Sequence, residues 1–277
     1  MRPTARSPLL AAAACFLAFG AVLACAYAIA PLGRLDAIAV HGLIGLDGRF
    51  TDRVVYVAVH SADPLPIMAM LAALFAWGWA LGRRREALAA VGLVAGANLA
   101  GLILKLALSH PRFYAILGTD QMGADAFPSG HATSAMSIAL AAVLVAPARA
   151  RIAVACGAAA YVIAVSTSLL VLGWHFPSDV LGGLLLASGF FCLAVAAIGE
   201  GAARRAGVAA QRAGLALSPG LGGVAVAALA AAGLIVLSRA EELLSFARLH
   251  TVATATALAL MVVSAGLVAS ATLIADR

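Results

Sequence analysis

Most of this chain is made of apolar runs about as long as a bilayer is thick, separated by short clusters of arginine. A helix needs roughly 20 apolar residues to cross the hydrocarbon core, and every backbone polar group inside the core must be paired within the segment. Few folds satisfy that pattern in 277 residues that are 64% hydrophobic and only 11% charged, with a mean hydropathy of +1.05. A soluble domain carries about 25% charged residues. The expected fold class is all-α, a polytopic helical membrane protein.

Eight spans are expected, at about 8–31, 65–82, 87–107, 130–148, 152–172, 180–199, 219–238 and 251–274. The first exceeds the 7–15 apolar residues or so of a signal peptide, so it reads as an uncleaved span. Glycine and alanine recur within the runs and let membrane helices approach closely. Residues 33–64 form the longest early connection. Val54, Val55, Tyr56, Val57 and Val59 lie there between Arg53 and His60, and fit either an ordinary loop or an interfacial helix covering a site.

Alternating the spans puts 11 basic residues on one side, including Arg83, Arg84, Arg85, Arg149, Arg151, Arg204, Arg205 and Arg212, against 7 on the other. The richer side is expected to be cytoplasmic, with both termini. Topology thus explains the net charge of +6. No basic stripe interleaved with aromatics is present, so nucleic acid is not an expected partner. Cys15, Cys25, Cys156 and Cys192 all lie in apolar runs without C-x-x-C spacing, and read as small buried side chains.

On the opposite, outward side, three distant segments carry polar residues where a bilayer makes them costly. Lys105, the only lysine, ends the third span, and Arg112 follows it in Lys105-Leu-Ala-Leu-Ser-His-Pro-Arg112. Arginine suits bidentate contact with phosphate and lysine acts as a mobile point charge, although both also serve as interface anchors. Pro128-Ser129-Gly130-His131 precedes an apolar run and opens a helix. Free amides there form an anion site, with His131 in the first turn. His175 and Asp179 flank Pro177, which suits the first turn of the sixth span. A carboxylate four residues on fixes the imidazole tautomer and leaves the other nitrogen free to attack. Read separately, these are also a helix cap with an incidental histidine, and a helix-terminal acid beside a loop histidine.

Taken together, the three segments resemble the type 2 phosphatidic acid phosphatase superfamily, which includes bacterial lipid phosphatases and vanadium haloperoxidases. Its motifs are Lys, six residues, Arg-Pro; then Pro-Ser-Gly-His; then Ser-Arg, five residues, His, three residues, Asp. Here they read Lys105 to Arg112 followed by Phe113, the complete Pro128 to His131, and Ser168-Leu169 leading to His175 and Asp179, with Val-Leu-Gly-Gly trailing at 180–183. The resemblance covers about residues 30–200. It implies a six-span bundle in residues 1–199, with 200–277 adding a cytoplasmic linker and two further spans.

The resemblance also implies chemistry. Lys105, Arg112, Ser129 and Gly130 hold the phosphoryl oxygens, His175 attacks phosphorus with Asp179 orienting it, and His131 protonates the leaving group. No metal or cofactor is implied. The partner is a membrane lipid phosphate or polyprenyl diphosphate, hydrolysed at the outer face of a bacterial inner membrane. One departure matters: Leu169 stands where the family places a phosphate-contacting arginine. A charge-assisted hydrogen bond contributes roughly 1.5–3 kcal/mol. The alternatives are therefore a slower enzyme, one in which His110 substitutes as a cation, or an inactive protein that binds phosphorylated lipid. A transporter is a further alternative, although transporters place ionisable groups near the midplane.

Overall fold

A computed structural model describes residues 6–44, 49–109, 125–199 and 240–275. Ten helices and their connections make up the described residues: α1 Arg6–Ala28, α2 Ala30–Leu43, α3 Arg49–His60, α4 Pro64–Ala80, α5 Arg84–Ala107, α6 Gly130–Val145, α7 Ala148–Val171, α8 Pro177–Ile198, α9 Ala240–Leu249 and α10 Thr251–Ala275. The protein is an all-helical membrane protein. Among the described residues, five helices are long and apolar enough to cross a bilayer, six if the α3–α4 pair, bent by 62°, counts as one broken span. Leu9, Leu17, Leu88, Leu99, Ile152, Val262 and Leu273 are exposed, as lipid-facing side chains must be. The expected span at 219–238 lies outside the described residues.

Local chemistry sets the helix starts. Pro64 and Pro177 open α4 and α8, where a missing N–H costs nothing. Ser129 caps α6, its Oγ accepting from the Ala132 amide at 3.3 Å. The α7 helix ends at Val171, and just beyond it Gly173, whose φ of +65° suits glycine, turns the chain toward His175.

The central element is α6. Ala132, Ala135, Met136, Ile138, Leu140, Val143 and Leu144 bury it on all sides, and α4, α5, α7, α8 and α10 surround it. A helix apolar all round belongs in an interior. Its 16 residues extend about 24 Å at 1.5 Å per residue, short of the ~30 Å hydrocarbon core. The α8 helix packs along α1, α5 and α6. The last helix, α10, buries Ala253, Leu260, Ser264, Val268 and Ala271 against the same bundle, touching α2, α7 and α8.

Two findings go beyond the sequence. The connection over 33–64 is mostly helical rather than an ordinary loop, because α2 and α3 occupy it. At the far end of α6, arginines expected as loop charges are buried. Arg83 and Arg151 are each 5% exposed, and their Nη2 atoms donate to the carbonyls of Leu144 and Ala146 at 3.2 and 3.3 Å. Arg83 also pairs with buried Glu86 at 3.0 Å, at an angle outside hydrogen-bond geometry. These cations satisfy the last carbonyls of α6 and complement its dipole.

Candidate active site

The opposite end of α6 carries the residues that the sequence singles out. The Ser129 amide donates to the Asp179 carbonyl at 2.9 Å, which seats the start of α6 directly on the start of α8. Close approach needs Gly182 and Gly183. A Cβ on Gly183 would lie 2.7 Å from the Ser129 carbonyl oxygen, and one on Gly182 would lie 2.8 Å from the Phe127 ring. The typical Val-Leu-Gly-Gly trailer thus has a steric reason here: it lets the two motifs touch.

Around this junction Lys105 and two imidazoles gather. Lys105 lies beside Gly130, its Cε 3.8 Å from where a Cβ would sit, and its Nζ donates to the Asp125 carbonyl at 2.9 Å. Lys105 and His175 are both within electrostatic range of His131. His175 is 7% exposed, and its Nδ1 lies 3.6 Å from Asp179 Oδ2. That separation is longer than a hydrogen bond, and buried Nδ1 has no other partner. Asp179, fully buried, also accepts from the Phe176 amide at 2.9 Å, so its carboxylate completes the α8 cap.

Ser129 is fully buried and fully engaged. Its amide goes to Asp179, its hydroxyl caps α6, and its carbonyl accepts from Thr133 Oγ1 at 2.8 Å. Ser129 therefore shapes the junction, and the Gly130 and His131 amides, first-turn donors without an intrahelical acceptor, remain to face an anion. Arg112 and His110 lie outside the described residues. Leu169 is fully buried in the main apolar core, and its carbonyl accepts from the Trp174 amide at 3.0 Å.

Two acidic residues at this end were not singled out from the sequence. Asp63, at the α3–α4 bend, accepts from His131 Nε2 at 3.0 Å and from His60 Nδ1 at 2.8 Å. Asp36, in α2, accepts from the Ser178 amide at 3.1 Å and from the Ser178 hydroxyl, which adds a second carboxylate to the start of α8. An acid there is favoured by the helix dipole. The available signal for Asp63 was modest: an aspartate preceding proline, three residues after a histidine.

Among the described residues, the arrangement offers two imidazoles of unlike surroundings, one cation and a helix N-terminus at one end of the bundle. Such a set can bind a tetrahedral anion, attack it and protonate what departs.

No curated protein sequence matches the chain. A transmembrane PAP2-type phosphatidylglycerolphosphate phosphatase from Bacillus subtilis, known from its crystal structure, has the same fold with a TM-score of 0.55 at 19% identity, covering 66% of this chain and 94% of that one. The family model of the PAP2 superfamily matches residues 86–201, the stretch from α5 to α8 that holds Lys105, His131, His175 and Asp179. Over that segment, the chain is similar to the PAP2 superfamily.

Proposed function

We propose that this protein hydrolyses a lipid phosphate or diphosphate, without a metal, through a phosphohistidine on His175 at the outer face of the membrane. The observation that carries the reading is the Ser129–Asp179 hydrogen bond at 2.9 Å, which brings the His131 and His175 segments to one place. Lys105, Arg112 and the Gly130 and His131 amides hold the phosphoryl oxygens. Asp179 lies on the Nδ1 side of His175, which leaves Nε2 to attack. The Nε2–phosphorus bond forms as the bond to the leaving oxygen breaks, and His131 gives that oxygen its proton. Water then attacks phosphorus, the P–N bond breaks, and His131 takes the proton back. Positioning and charge complementarity supply much of the catalysis in phosphoryl transfer.

The outward orientation rests on charge. The site lies at one end of α6 and the Arg83, Glu86 and Arg151 group at the other. The arginine-rich end belongs in the cytoplasm. The substrate then enters sideways from the outer leaflet. Phosphatidate, phosphatidylglycerophosphate and polyprenyl diphosphates all fit that description.

Leu169 favours a second reading, a weakened enzyme or a binder of phosphorylated lipid, because full burial in apolar surroundings leaves no cation there. Phosphate release from a panel of lipid phosphates separates the two. Wild type should turn over at least one substrate and His175→Ala none. Tight binding of a lipid phosphate by both proteins, with turnover by neither, favours the binder.

A further inference from the structure

Asp63 sits between two imidazoles at the mouth of the site, on an element outside the three motifs. It precedes Pro64 at the corner where α3 meets α4. Each of its oxygens takes one ring, Oδ1 from His131 Nε2 at 3.0 Å and Oδ2 from His60 Nδ1 at 2.8 Å. Trp174, next to His175 in the chain, packs against both rings, with centroids 5.8 Å from His131 and 6.0 Å from His60. His131 is thus held by a carboxylate on one side and an indole on another. No group of three histidine, cysteine or acidic residues among the described residues is placed to hold a metal ion. The cluster therefore reads as an imidazole–carboxylate–imidazole bridge.

The consequence concerns which nitrogen works. With Nε2–H donated to Asp63, the remaining nitrogen of His131 is Nδ1. The second shell of a histidine selects its tautomer in this way. His175 shows the opposite arrangement, its carboxylate lying on the Nδ1 side. The two histidines would thus use opposite ring nitrogens.

We propose that Asp63 is the positioning residue of the proton-transfer step: it fixes His131 with its proton on Nε2, so that Nδ1 is the atom that exchanges protons with the reacting oxygens. This rests on the phosphatase reading. In the first half-reaction the Nδ1 proton of the imidazolium passes to the leaving oxygen as the P–O bond breaks. In the second, Nδ1 takes a proton from the water that attacks the phosphohistidine. Asp63 stays ionised throughout and touches neither substrate nor water of reaction. Among the described residues, the charged and titratable groups facing His131 are Asp63 from the α3–α4 corner, His60 behind it, Lys105 from α5 and His175 from the α7–α8 connection.

A merely structural role for Asp63, tying the corner to α6, would lower activity on every substrate alike. A role through the general acid would not, because an alkoxide needs a proton to leave and a nitrophenolate does not. The test uses the full chain in detergent, with Asp63→Asn and Asp63→Glu. It compares kcat/KM, which reports steps through departure of the leaving group, for a short-chain alkyl phosphate and p-nitrophenyl phosphate. Since general acid catalysis contributes about 10²–10⁴-fold, Asp63→Asn should lose at least about thirtyfold more on the alkyl substrate than on the aryl one. Asp63→Glu should recover part of the difference. Equal losses on both substrates, or none on either, would overturn the proposal.

A second readout needs no turnover. ¹⁵N-histidine spectra should show His131 carrying a proton on Nε2, identified by its absence in His131→Ala, and Asp63→Asn should shift that signal. An unmoved signal refutes the tautomer claim outright. If wild type hydrolyses neither substrate while the signal still depends on Asp63, the phosphatase reading has failed, the pairing is real, and the catalytic role proposed for it is withdrawn.

Discussion

The Ser129 amide donates to the carbonyl of Asp179 at 2.9 Å, joining the starts of α6 and α8 across fifty residues of sequence. That bond uses backbone atoms alone, so it survives any side-chain change that keeps the two helices in contact. Its geometry depends on the absence of a side chain at position 183.

Gly183→Ala should therefore be disruptive. The new Cβ would lie 2.7 Å from the Ser129 carbonyl oxygen and 2.9 Å from Thr133 Oγ1, neither of which can retreat easily. Overpacking of this kind costs about 1–3 kcal/mol. A lower unfolding midpoint in detergent is expected, together with a loss of phosphate release larger than the loss of folded protein. Gly157 has open space around it, and Gly157→Ala should change neither.

Asp179→Asn should keep the α8 cap and lose the charge that organises His175. The amide oxygen can still accept from the Phe176 amide, so folding should be little affected. Rate should fall by about 10²–10⁴-fold, the usual contribution of an oriented acid–base group. Steady-state phosphate release checks this, and a fall confined to KM would argue that Asp179 only binds.

Glu86→Gln should leave Arg83 buried without its counter-charge. Breaking a buried pair by removing one partner costs about 3–5 kcal/mol. The midpoint of unfolding should drop, while activity per folded molecule holds, because the site lies at the far end of α6. Activity falling in step with nothing else would mean that the two ends are coupled.

Extensive dialysis against a chelator should leave the rate of phosphate release unchanged, since every step is assigned to side chains and amides. A loss restored by one divalent cation would contradict the metal-free route.

Several elements of this structure are legible from residue order. Apolar run length locates α1, α5, α7, α8 and α10, because a bilayer imposes that length directly. Ser129 and Pro177 mark helix starts for reasons local to each residue. The sequence is less informative where stability comes from distant partners. The stretch over 33–64 has a mixed pattern, so α2 and α3 were only half visible in it. Arg83 and Arg151 look like ordinary loop charges until the carbonyls of Leu144 and Ala146 are found beneath them. Asp63 and Asp36 act on residues far along the chain, His131 and Ser178. Nothing in the spacing of His60 and Asp63 announces a second histidine. The departure at Leu169 was visible in sequence, and its burial in the apolar core was not.

The most direct test of the central claim is rapid quenching of the enzyme with a ³²P-labelled lipid phosphate, followed by mapping of protein-bound label. The account predicts acid-labile, alkali-stable label on His175, absent in His175→Ala and accumulating in His131→Ala treated with a good leaving group. Phosphate release at the wild-type rate by His175→Ala, or label on any other residue, would contradict it.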